Sequence, residues 1–294
     1  MKLLTIGEAM AELRRDTKDG WRVGFAGDTF NTAVYAARIL GGGVGFLSRA
    51  GEDPLSADLR DFARAEGLDP SLIARDPARQ IGMYSVSTDG QGERSFHYWR
   101  NQSAARQMFA DAAEAAQMPQ AEVIYLSGIT LAILSPQARE ALHAELLRRK
   151  ATQGTKIAFD SNYRPHLWDS QASAQSAMSA FWQLADIALP SIDDEQALFG
   201  GDGASVLARF AQGNHARVAI KRGSRGPLDP SLATHPDFAP AERVVDTTAA
   251  GDSFNAGYLA GYLSGAGNAE CLLQGHALAS QVVGAAGAII GLDV

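Results

Sequence analysis

The sequence is poor in cysteine, in long apolar runs and in positive charge. Cys271 is the only cysteine among 294 residues, so no intrachain disulfide can form, and a reducing, cytoplasmic location is expected. Cysteine and histidine do not recur at zinc-ligand spacing, which argues against a structural metal. No stretch approaches the roughly 20 apolar residues of a membrane span. The apolar start is interrupted at Glu8, so no signal peptide is expected.

Acidic residues outnumber basic ones, with 33 Asp and Glu against 26 Lys and Arg, and the formal net charge is −7. This balance disfavours non-specific binding to nucleic acid or to an acidic membrane, although a local basic site for a small anion stays open. The length, the 46% of hydrophobic residues and the 20% of charged residues suit one large folded domain or two modest ones. A wholly disordered chain is excluded.

Short β-branched or apolar runs alternate with helical patterns along the chain. Six runs are predicted to be buried strands, at 3–6, 44–47, 123–126, 156–159, 186–189 and 217–220. Between them, Leu55, Leu59 and Phe62 recur at helical spacing, and Ser135-Pro136 is a helix start signal. The alternation predicts an α/β fold with a mostly parallel central sheet and helices on both faces.

One segment departs from this alternation. Residues 83–88 and 95–100 are predicted to form an antiparallel hairpin, joined by a glycine-containing turn at 89–93. Alternation along the second strand places Phe96, Tyr98 and Arg100 on one face. An aromatic and arginine face of this kind indicates a small lid.

The lid is expected to belong to one continuous domain. Residues 21–25 can add a further strand to it, and the sequence has no internal repeat and no low-complexity linker. We therefore expect a single domain over 1–294, with lid segments near 10–26 and 80–102. The proline-rich segment 227–240 is predicted to contain no central strand.

A run of small residues precedes a helical pattern near the end of the chain. The backbone N–H groups of Ala249, Ala250 and Gly251 are expected to converge at a helix N-terminus, where orphan donors and the helix dipole favour an anion. Asp252 would then lie beside a bound anion and accept a hydroxyl proton during phosphoryl transfer. A simple helix cap is the alternative. The flanking residues 246–248 favour the catalytic interpretation.

The run 246–252, Asp-Thr-Thr-Ala-Ala-Gly-Asp, resembles the signature of the ribokinase (PfkB-type) carbohydrate kinases. In that family the last Asp is the catalytic base and the preceding turn is the anion hole, so the resemblance implies these roles for Asp252 and 249–251. Residues 27–33 resemble the family's sugar-binding glycine motif, and 51–53 match as well. The similarity runs nearly end to end and implies a ribokinase-like fold with a small β-sheet lid.

Within the family, the chain most resembles the 2-keto-3-deoxygluconate kinases. The stretches that carry this likeness are 27–29, 92–94, 98–101, 126–129, 160–165 and 193–195. The resemblance implies ATP-dependent phosphorylation of 2-keto-3-deoxygluconate at its 6-hydroxyl. It also implies that the sugar acid is surrounded by Gly27, Asp28, Asn31, Tyr84, Tyr98, Arg100, Arg164 and Asp252.

The chemistry of a sugar acid agrees with this set. A carboxylate is matched best by an arginine fork, and Arg100 and Arg164 are the candidates, with solvated surface arginine as the alternative. Arg164 follows a predicted strand, and open α/β sheets bind ligands beyond the carboxyl ends of their strands. Asp28 and Asn31 are equally compatible with turn and cap residues before a helix that begins near Thr32.

Residues 218–224 are predicted to form a strand that runs into a turn at the same sheet edge. In the resembled family this turn lies along the phosphates and ribose of ATP. The implied nucleotide contacts are Asn162, Lys221, Gly223, Ser224, Gly226, Ala249, Ala250, Gly251, His276 and Ser280. A packed or solvated histidine is the alternative for His276. The family commonly has a hairpin where this chain has prolines, so a different adenine wall is expected.

The resemblance also implies metal ions. Mg²⁺ is expected to bridge the ATP phosphates and to be held through water, since it dehydrates reluctantly. Glu195 is the outer-sphere candidate, although the family usually has Asn three residues earlier, where this chain has Ile192. A monovalent cation, K⁺, near Asp246 and Thr248 is a further implication.

Two alternative functions remain open. A sugar kinase of the same fold, such as a fructokinase, would have no carboxylate to recognise. A catalytically silent regulator that binds sugar or nucleotide is disfavoured by the intact Asp252 and its turn. The exposed edges and apolar side chains of a lid hairpin predict a homodimer through the lid. The expected partners are therefore a sugar acid, ATP and a second copy of the chain.

Overall fold

A computed structural model describes residues 1–16, 20–88 and 94–291 of the chain. The turn predicted at 89–93, with the Gly92-Glu93 pair that supports the family resemblance, lies outside the described residues. The strands are β1 (Leu3–Ile6), β2 (Met10–Asp16), β3 (Gly20–Ala26), β4 (Val44–Ala50), β5 (Ile73–Arg75), β6 (Gly82–Thr88), β7 (Arg94–Trp99), β8 (Val123–Ser127), β9 (Lys156–Asp160), β10 (Ile187–Ala188) and β11 (Arg217–Val218).

Helices fill most of the connections between these strands. They are α1 (Asp28–Leu40), α2 (Pro54–Ala65), α3 (Ala112–Ala116), α4 (Gly128–Ile133), α5 (Pro136–Gln153), α6 (Gln171–Leu184), α7 (Ile192–Phe199), α8 (Gly203–Gln212), α9 (Ala250–Leu263) and α10 (Asn268–Val282). The start signal at Ser135-Pro136 is confirmed, because Ser135 caps α5 and Pro136 is its first residue.

The central sheet has seven strands in the order β11-β10-β9-β8-β1-β4-β5, and all neighbouring pairs are parallel. All six predicted strands are confirmed. Prediction missed β5, whose three residues are too short to show a pattern. Strands β1 and β8 are buried along their whole length, as expected for a parallel sheet that is covered on both faces.

Two apolar layers cover the sheet. Alternate residues of β1 point to opposite layers: Leu4 belongs to the one that contains Leu142 of α5, and Leu3 to the one that contains Tyr258 of α9. Helices α4 to α8 contribute to the first layer, and α1, α2, α9 and α10 contribute to the second. The predicted α/β architecture is therefore confirmed.

A separate four-stranded sheet, here called the small sheet, has the order β3-β2-β6-β7. The predicted hairpin is confirmed as the antiparallel pair β6–β7, and the strand predicted at 21–25 is β3. Prediction missed β2, which pairs with β3 in antiparallel and with β6 in parallel fashion. The small sheet comes from the two segments predicted to form the lid.

Helix α1 corrects one expectation. It begins at Asp28 and not near Thr32, so Asp28 lies in its first turn and Asn31 within it. Gly27 precedes the helix, and a Cβ atom at Gly27 would lie 2.1 Å from the Glu8 carbonyl oxygen. Only glycine lets the chain enter the helix this close to the end of β1.

The segment 227–240 is irregular, as predicted. In this stretch Leu228 pairs with Ile220 through an isolated antiparallel bridge, and no strand forms among these residues, all of which are described. Cys271 is buried on α10. Within the described residues, no helix is long and apolar enough to cross a membrane. The cytoplasmic location stays a prediction.

Candidate active site

The candidate site lies where the carboxyl ends of the central strands meet the starts of two helices. Ser127 ends β8, Asp160 ends β9, and the first turns of α1 and α9 approach the same edge. In open parallel sheets this edge, beside the strand at which the chain order reverses, is where ligands bind. The strand order around β1 places that reversal here.

A tight turn leads into α9. Ala249 has a left-handed backbone, with φ of 62°, and precedes the first residue of the helix. Asp246 braces the turn, because its Oδ1 accepts the Thr248 amide over 2.9 Å. Of the three predicted anion donors, the Ala250 amide is directed to the Thr247 carbonyl over 3.2 Å. The role of 249–251 as an anion hole stays a prediction.

Asp252 lies in the first turn of α9 and is held by α1. Its Oδ2 accepts the Asn31 amide over 2.8 Å, and its carbonyl accepts the Thr32 hydroxyl over 3.0 Å. The Asn31 Oδ1 accepts the Gly27 amide over 3.3 Å. Three predicted sugar contacts, at 27, 31 and 252, are thus joined by hydrogen bonds.

Three carboxylates, those of Asp28, Asp160 and Asp252, lie close together at this edge. Asp28 accepts the Ser127 hydroxyl and, over 2.9 Å, the Asn162 amide. Burial raises the pKa of Asp28. Burial, together with the nearby charges of Asp28 and Asp160, raises the pKa of Asp252 to about 7.

The cation that faces these carboxylates is Lys221. Its Nζ lies 2.7 Å from Asp160 Oδ1 and 3.2 Å from Asn255 Oδ1. Asn255 also donates to Asp160 Oδ2 over 2.7 Å, so α9 and β9 both hold the lysine. Sequence reasoning proposed Lys221 as a nucleotide contact but missed Asp160 and Asn255 as its partners. The position of Asp160 at a strand end was the available signal.

Asn162 lies beside Asp28, a predicted sugar contact. Its amide donates to Asp28, and its backbone has a φ of 26° that is uncommon outside glycine. The nucleotide contact expected of Asn162 stays a prediction. Arg164 follows on the same loop with a half-exposed side chain, 3.5 Å from Asp194 Oδ1. Arg164 therefore stands at the rim, where its role stays a prediction.

The small sheet contributes a buried ion pair and two tyrosines. Arg100 follows β7 and pairs with Glu8. Arg100 Nε and Glu8 Oε1 are buried and have no hydrogen-bond partner in the described part of the chain. The Tyr84 and Tyr98 rings lie 5.6 Å apart, and the Tyr84 hydroxyl donates to Glu12. Sequence reasoning missed Glu8 and Glu12, which carry no local signature.

The predicted nucleotide residues after β11 lie along a short 3₁₀ turn, Gly223–Arg225. Gly223 and Ser224 are exposed, whereas Gly226 packs against Phe238, whose ring would be 2.6 Å from a Cβ atom at 226. The Phe238 ring also lies 5.1 Å from the ring of His276.

The proline-rich segment packs against α10 near Phe238. His276 Nε2 lies 2.6 Å from the Ala239 carbonyl, and Ser280 Oγ lies 3.5 Å from the same nitrogen. Sequence reasoning missed Phe238, which stands between the predicted nucleotide residues Gly226 and His276. Their nucleotide contacts stay predictions.

Glu195 fits an outer-sphere role for Mg²⁺ in part. It is buried in the first turn of α7, where one carboxylate oxygen pairs with Arg209. The other oxygen, Oε1, has no hydrogen-bond partner within the described residues and can accept from a metal-bound water. The described residues contain no cluster of three or more His, Cys, Asp or Glu side chains suited to a metal. Water and ATP phosphates would supply the other ligands.

The predicted K⁺ position is occupied by protein groups. Asp246 Oδ2 accepts the Gly287 amide over 2.8 Å, and Nη1 of Arg14 lies 3.6 Å from the same oxygen. With Thr248 donating to Oδ1, both carboxylate oxygens are engaged. A second positive charge beside these oxygens would be repelled by the Arg14 guanidinium, so this environment does not fit a monovalent cation.

Comparison with known proteins identifies the family of the chain. The model of the pfkB family of carbohydrate kinases matches residues 1–294. The chain is 41% identical to the 2-dehydro-3-deoxygluconokinase of Escherichia coli K12, over 98% of this chain and 97% of that one. It is 40% identical to the Haemophilus influenzae protein of the same name, over 98% and 95%.

A solved structure shows the same fold. The 2-dehydro-3-deoxygluconokinase of Thermotoga maritima superposes with a TM-score of 0.82 at 22% identity, covering 99% of this chain and 96% of that one. The chain belongs to the pfkB family of carbohydrate kinases. It is therefore a kinase that transfers a phosphoryl group from ATP to a sugar.

The raised pKa of Asp252 predicts a pH dependence. If Asp252 is the general base that the sequence predicts, it works only when ionised, so kcat/KM for phosphorylation should fall as the pH drops below about 7. Asp28→Asn removes a neighbouring negative charge, lowers the pKa of Asp252, and should move the midpoint to lower pH. Steady-state rates from pH 5 to 9 test this in both proteins.

Asp58→Asn, at an exposed position of α2, is the matched control and should keep the wild-type midpoint. An unchanged midpoint in Asp28→Asn would contradict the coupling of the two carboxylates. A lower maximum of kcat/KM without a change of midpoint would not support the coupling, since Asp28 is also a predicted sugar contact.

Proposed function

We propose that the protein phosphorylates 2-keto-3-deoxygluconate, which is the same compound as 2-dehydro-3-deoxygluconate, at its 6-hydroxyl. The observation that carries this is the Asp252 carboxylate, held by Asn31 at the start of α9 and beside Asp28, whose pKa burial raises and the charge of the buried Arg100 lowers. The 40–41% identity to kinases named for this sugar acid supports the choice of substrate.

Asp252 acts as the base. Asn31 donates to one carboxylate oxygen and so fixes the direction of the other towards the terminal hydroxyl. Burial and the neighbouring charge of Asp28 raise the pKa of Asp252 to about 7, so it accepts a proton more readily than an ordinary carboxylate. Its position in the first turn of α9 keeps the accepted proton close to the transferring phosphoryl group.

The start of α9 stabilises charge on the transferring group. The positive end of the helix dipole and the backbone N–H groups of Ala249 and Gly251 would face the place where negative charge grows in the transition state, whereas the Ala250 amide is directed to the Thr247 carbonyl. Lys221, held by Asp160 and Asn255, adds a positive charge nearby. Because phosphoryl transfer has a loose transition state, such positioning and electrostatics supply most of the acceleration.

Arg100 recognises the carboxylate of the sugar acid. Its Nε is a buried donor without a partner in the described chain, and an unsatisfied buried donor is costly until a ligand accepts from it. Glu8 holds the guanidinium in place and offers Oε1 to a sugar hydroxyl. Tyr84 and Tyr98 line the same side, and closure of the small sheet as a lid would exclude water.

The nucleotide lies across the turn after β11. Lys221, Gly223, Ser224 and Gly226 approach the phosphates and ribose, and Phe238 and His276 form the wall for the base. Mg²⁺, when bound, neutralises and orients the ATP phosphates, and Glu195 Oε1 accepts from one of its waters. K⁺ is left out of this proposal, because Arg14 lies beside Asp246.

A panel of acceptors tests the proposed function. In an assay of ADP release, 2-keto-3-deoxygluconate should give the highest kcat/KM among ketoses and 2-keto-3-deoxy sugar acids. Arg100→Ala should lower kcat/KM for the acid by about 10- to 100-fold, as expected for a charge-assisted hydrogen bond, and change that for fructose little. Arg75→Ala, at an exposed position of β5, is the control.

Arg164→Ala is the second variant, because its side chain is half-exposed and can be removed with less disturbance than that of the buried Arg100. A preference for fructose would make the protein a fructokinase, in line with its 29% identity to a Vibrio alginolyticus fructokinase. If no acceptor stimulates ADP release, a regulator that binds without turnover is favoured.

We also propose a homodimer through the small sheet. Trp21, Val23 and Trp99 on its edge strands are 46–57% exposed, and large apolar side chains of this kind favour a partner surface. Light scattering should give twice the 31.1 kDa mass of one chain. Val23→Lys should lower the measured mass towards that of the monomer, whereas Leu147→Lys, at an exposed position of α5, should leave the mass unchanged. A wild-type monomer would contradict the proposal.

A further inference from the structure

Arg14 links the small sheet to the turn that precedes α9. It lies on β2, and its Nη1 stands 3.6 Å from Asp246 Oδ2. The same nitrogen would be 3.8 Å from a Cβ atom at Gly287, so the guanidinium is next to both segments that surround Asp246. Two parts of the chain more than 230 residues apart meet at this contact.

Asp246 is a buried charge that organises the turn. Its side chain is fully buried, and it accepts the amides of Thr248 and Gly287. These two bonds tie the turn that leads to Ala249 to the separate segment at Gly287. A carboxylate buried this deeply needs a compensating positive charge, because neutral donors offset only part of its lost hydration.

The small sheet holds Arg14 in a defined position. Its Nε and Nη2 donate to the two carboxylate oxygens of Glu12, which also accepts the Tyr84 hydroxyl. Met10 and Tyr84 pack with Ala288, and Ala249 joins the same apolar cluster. The polar chain from Tyr84 through Glu12 and Arg14 to Asp246 therefore runs beside a direct apolar contact.

We propose that Arg14 is a positioning residue that provides the fixed positive charge for Asp246 and so makes a monovalent cation unnecessary at the turn. The proposal rests on the proposed role of 249–251 as the anion hole. A guanidinium carries the same single charge as K⁺ but is attached to the lid strand. The anion-hole turn is thereby tied to the sheet that bears Tyr84.

The structure favours this arrangement over a cation site. Both oxygens of Asp246 accept backbone amides, and Arg14 Nη1 lies 3.6 Å from Oδ2. A cation placed there would repel the guanidinium, which its bidentate contact with Glu12 keeps from swinging away. If the positive charge of Arg14 is removed, K⁺ should bind beside Asp246 and replace that charge.

The cation response of Arg14→Gln tests the proposal. Rates with the preferred acceptor are measured in choline chloride and in potassium chloride at equal ionic strength. Wild type should differ by about twofold or less between the two salts. In choline, Arg14→Gln should lose about 10- to 100-fold in kcat, as expected for a misplaced anion hole, and K⁺ should restore part of it. KM for the sugar should change less than kcat.

The neighbouring arginine is the matched control. Arg15 lies on the opposite face of β2, with its guanidinium 5.2 Å from the Trp21 ring. Arg15→Gln removes the same charge from the same strand and should behave as wild type in both salts. A loss that K⁺ does not rescue would contradict the charge role and leave Arg14 as a packing residue.

A second readout is independent of the sugar. The midpoint of thermal unfolding with bound ATP should rise with K⁺ for Arg14→Gln but not for wild type, and this holds whichever acceptor the enzyme uses. If Arg14→Gln fails to fold, Arg14→Lys keeps the charge and should remain insensitive to K⁺. Strong stimulation of wild type by K⁺ would overturn the proposal without affecting the proposed function.

Discussion

The structure depends on the burial of three carboxylates, those of Asp28, Asp160 and Asp252, at one edge of a parallel sheet. Their mutual repulsion is offset by neutral donors and by the ammonium of Lys221. Burial and repulsion together bring the pKa of Asp252 to about 7. The same arrangement that costs stability thus leaves a carboxylate that can accept a proton at neutral pH.

Ion pairs also form where the small sheet contacts the rest of the molecule. The pairs of Arg100 with Glu8 and of Arg14 with Glu12 and Asp246 join the small sheet to the end of β1 and to the turn before α9. Buried ion pairs add little net stability but allow few alternative geometries. They therefore fix how the small sheet meets the site, while the apolar layers of the central sheet supply the stability.

The features that could be predicted from the sequence are those that depend on residues close together in the chain. Continuous apolar runs identified the parallel strands, and small residues before Asp252 identified the turn at α9, because both depend on neighbours in the chain. Strand β2 was missed, since Arg14 and Arg15 interrupt its alternation and its partner β6 lies about 70 residues away. The contacts of Asn162 with Asp28 and of Glu8 with Arg100 join segments that are far apart in the chain. They produce no recognisable spacing of residues in the sequence.

The central claim is that Asp252 is the base and takes no large part in nucleotide binding. Asp252→Asn keeps the size of the side chain and removes its charge, so the turnover number with the sugar acid is the direct measurement, with ATP affinity measured by calorimetry. We expect turnover to fall by about 100- to 10,000-fold, with ATP affinity within about twofold of wild type. Near-wild-type turnover would contradict the account.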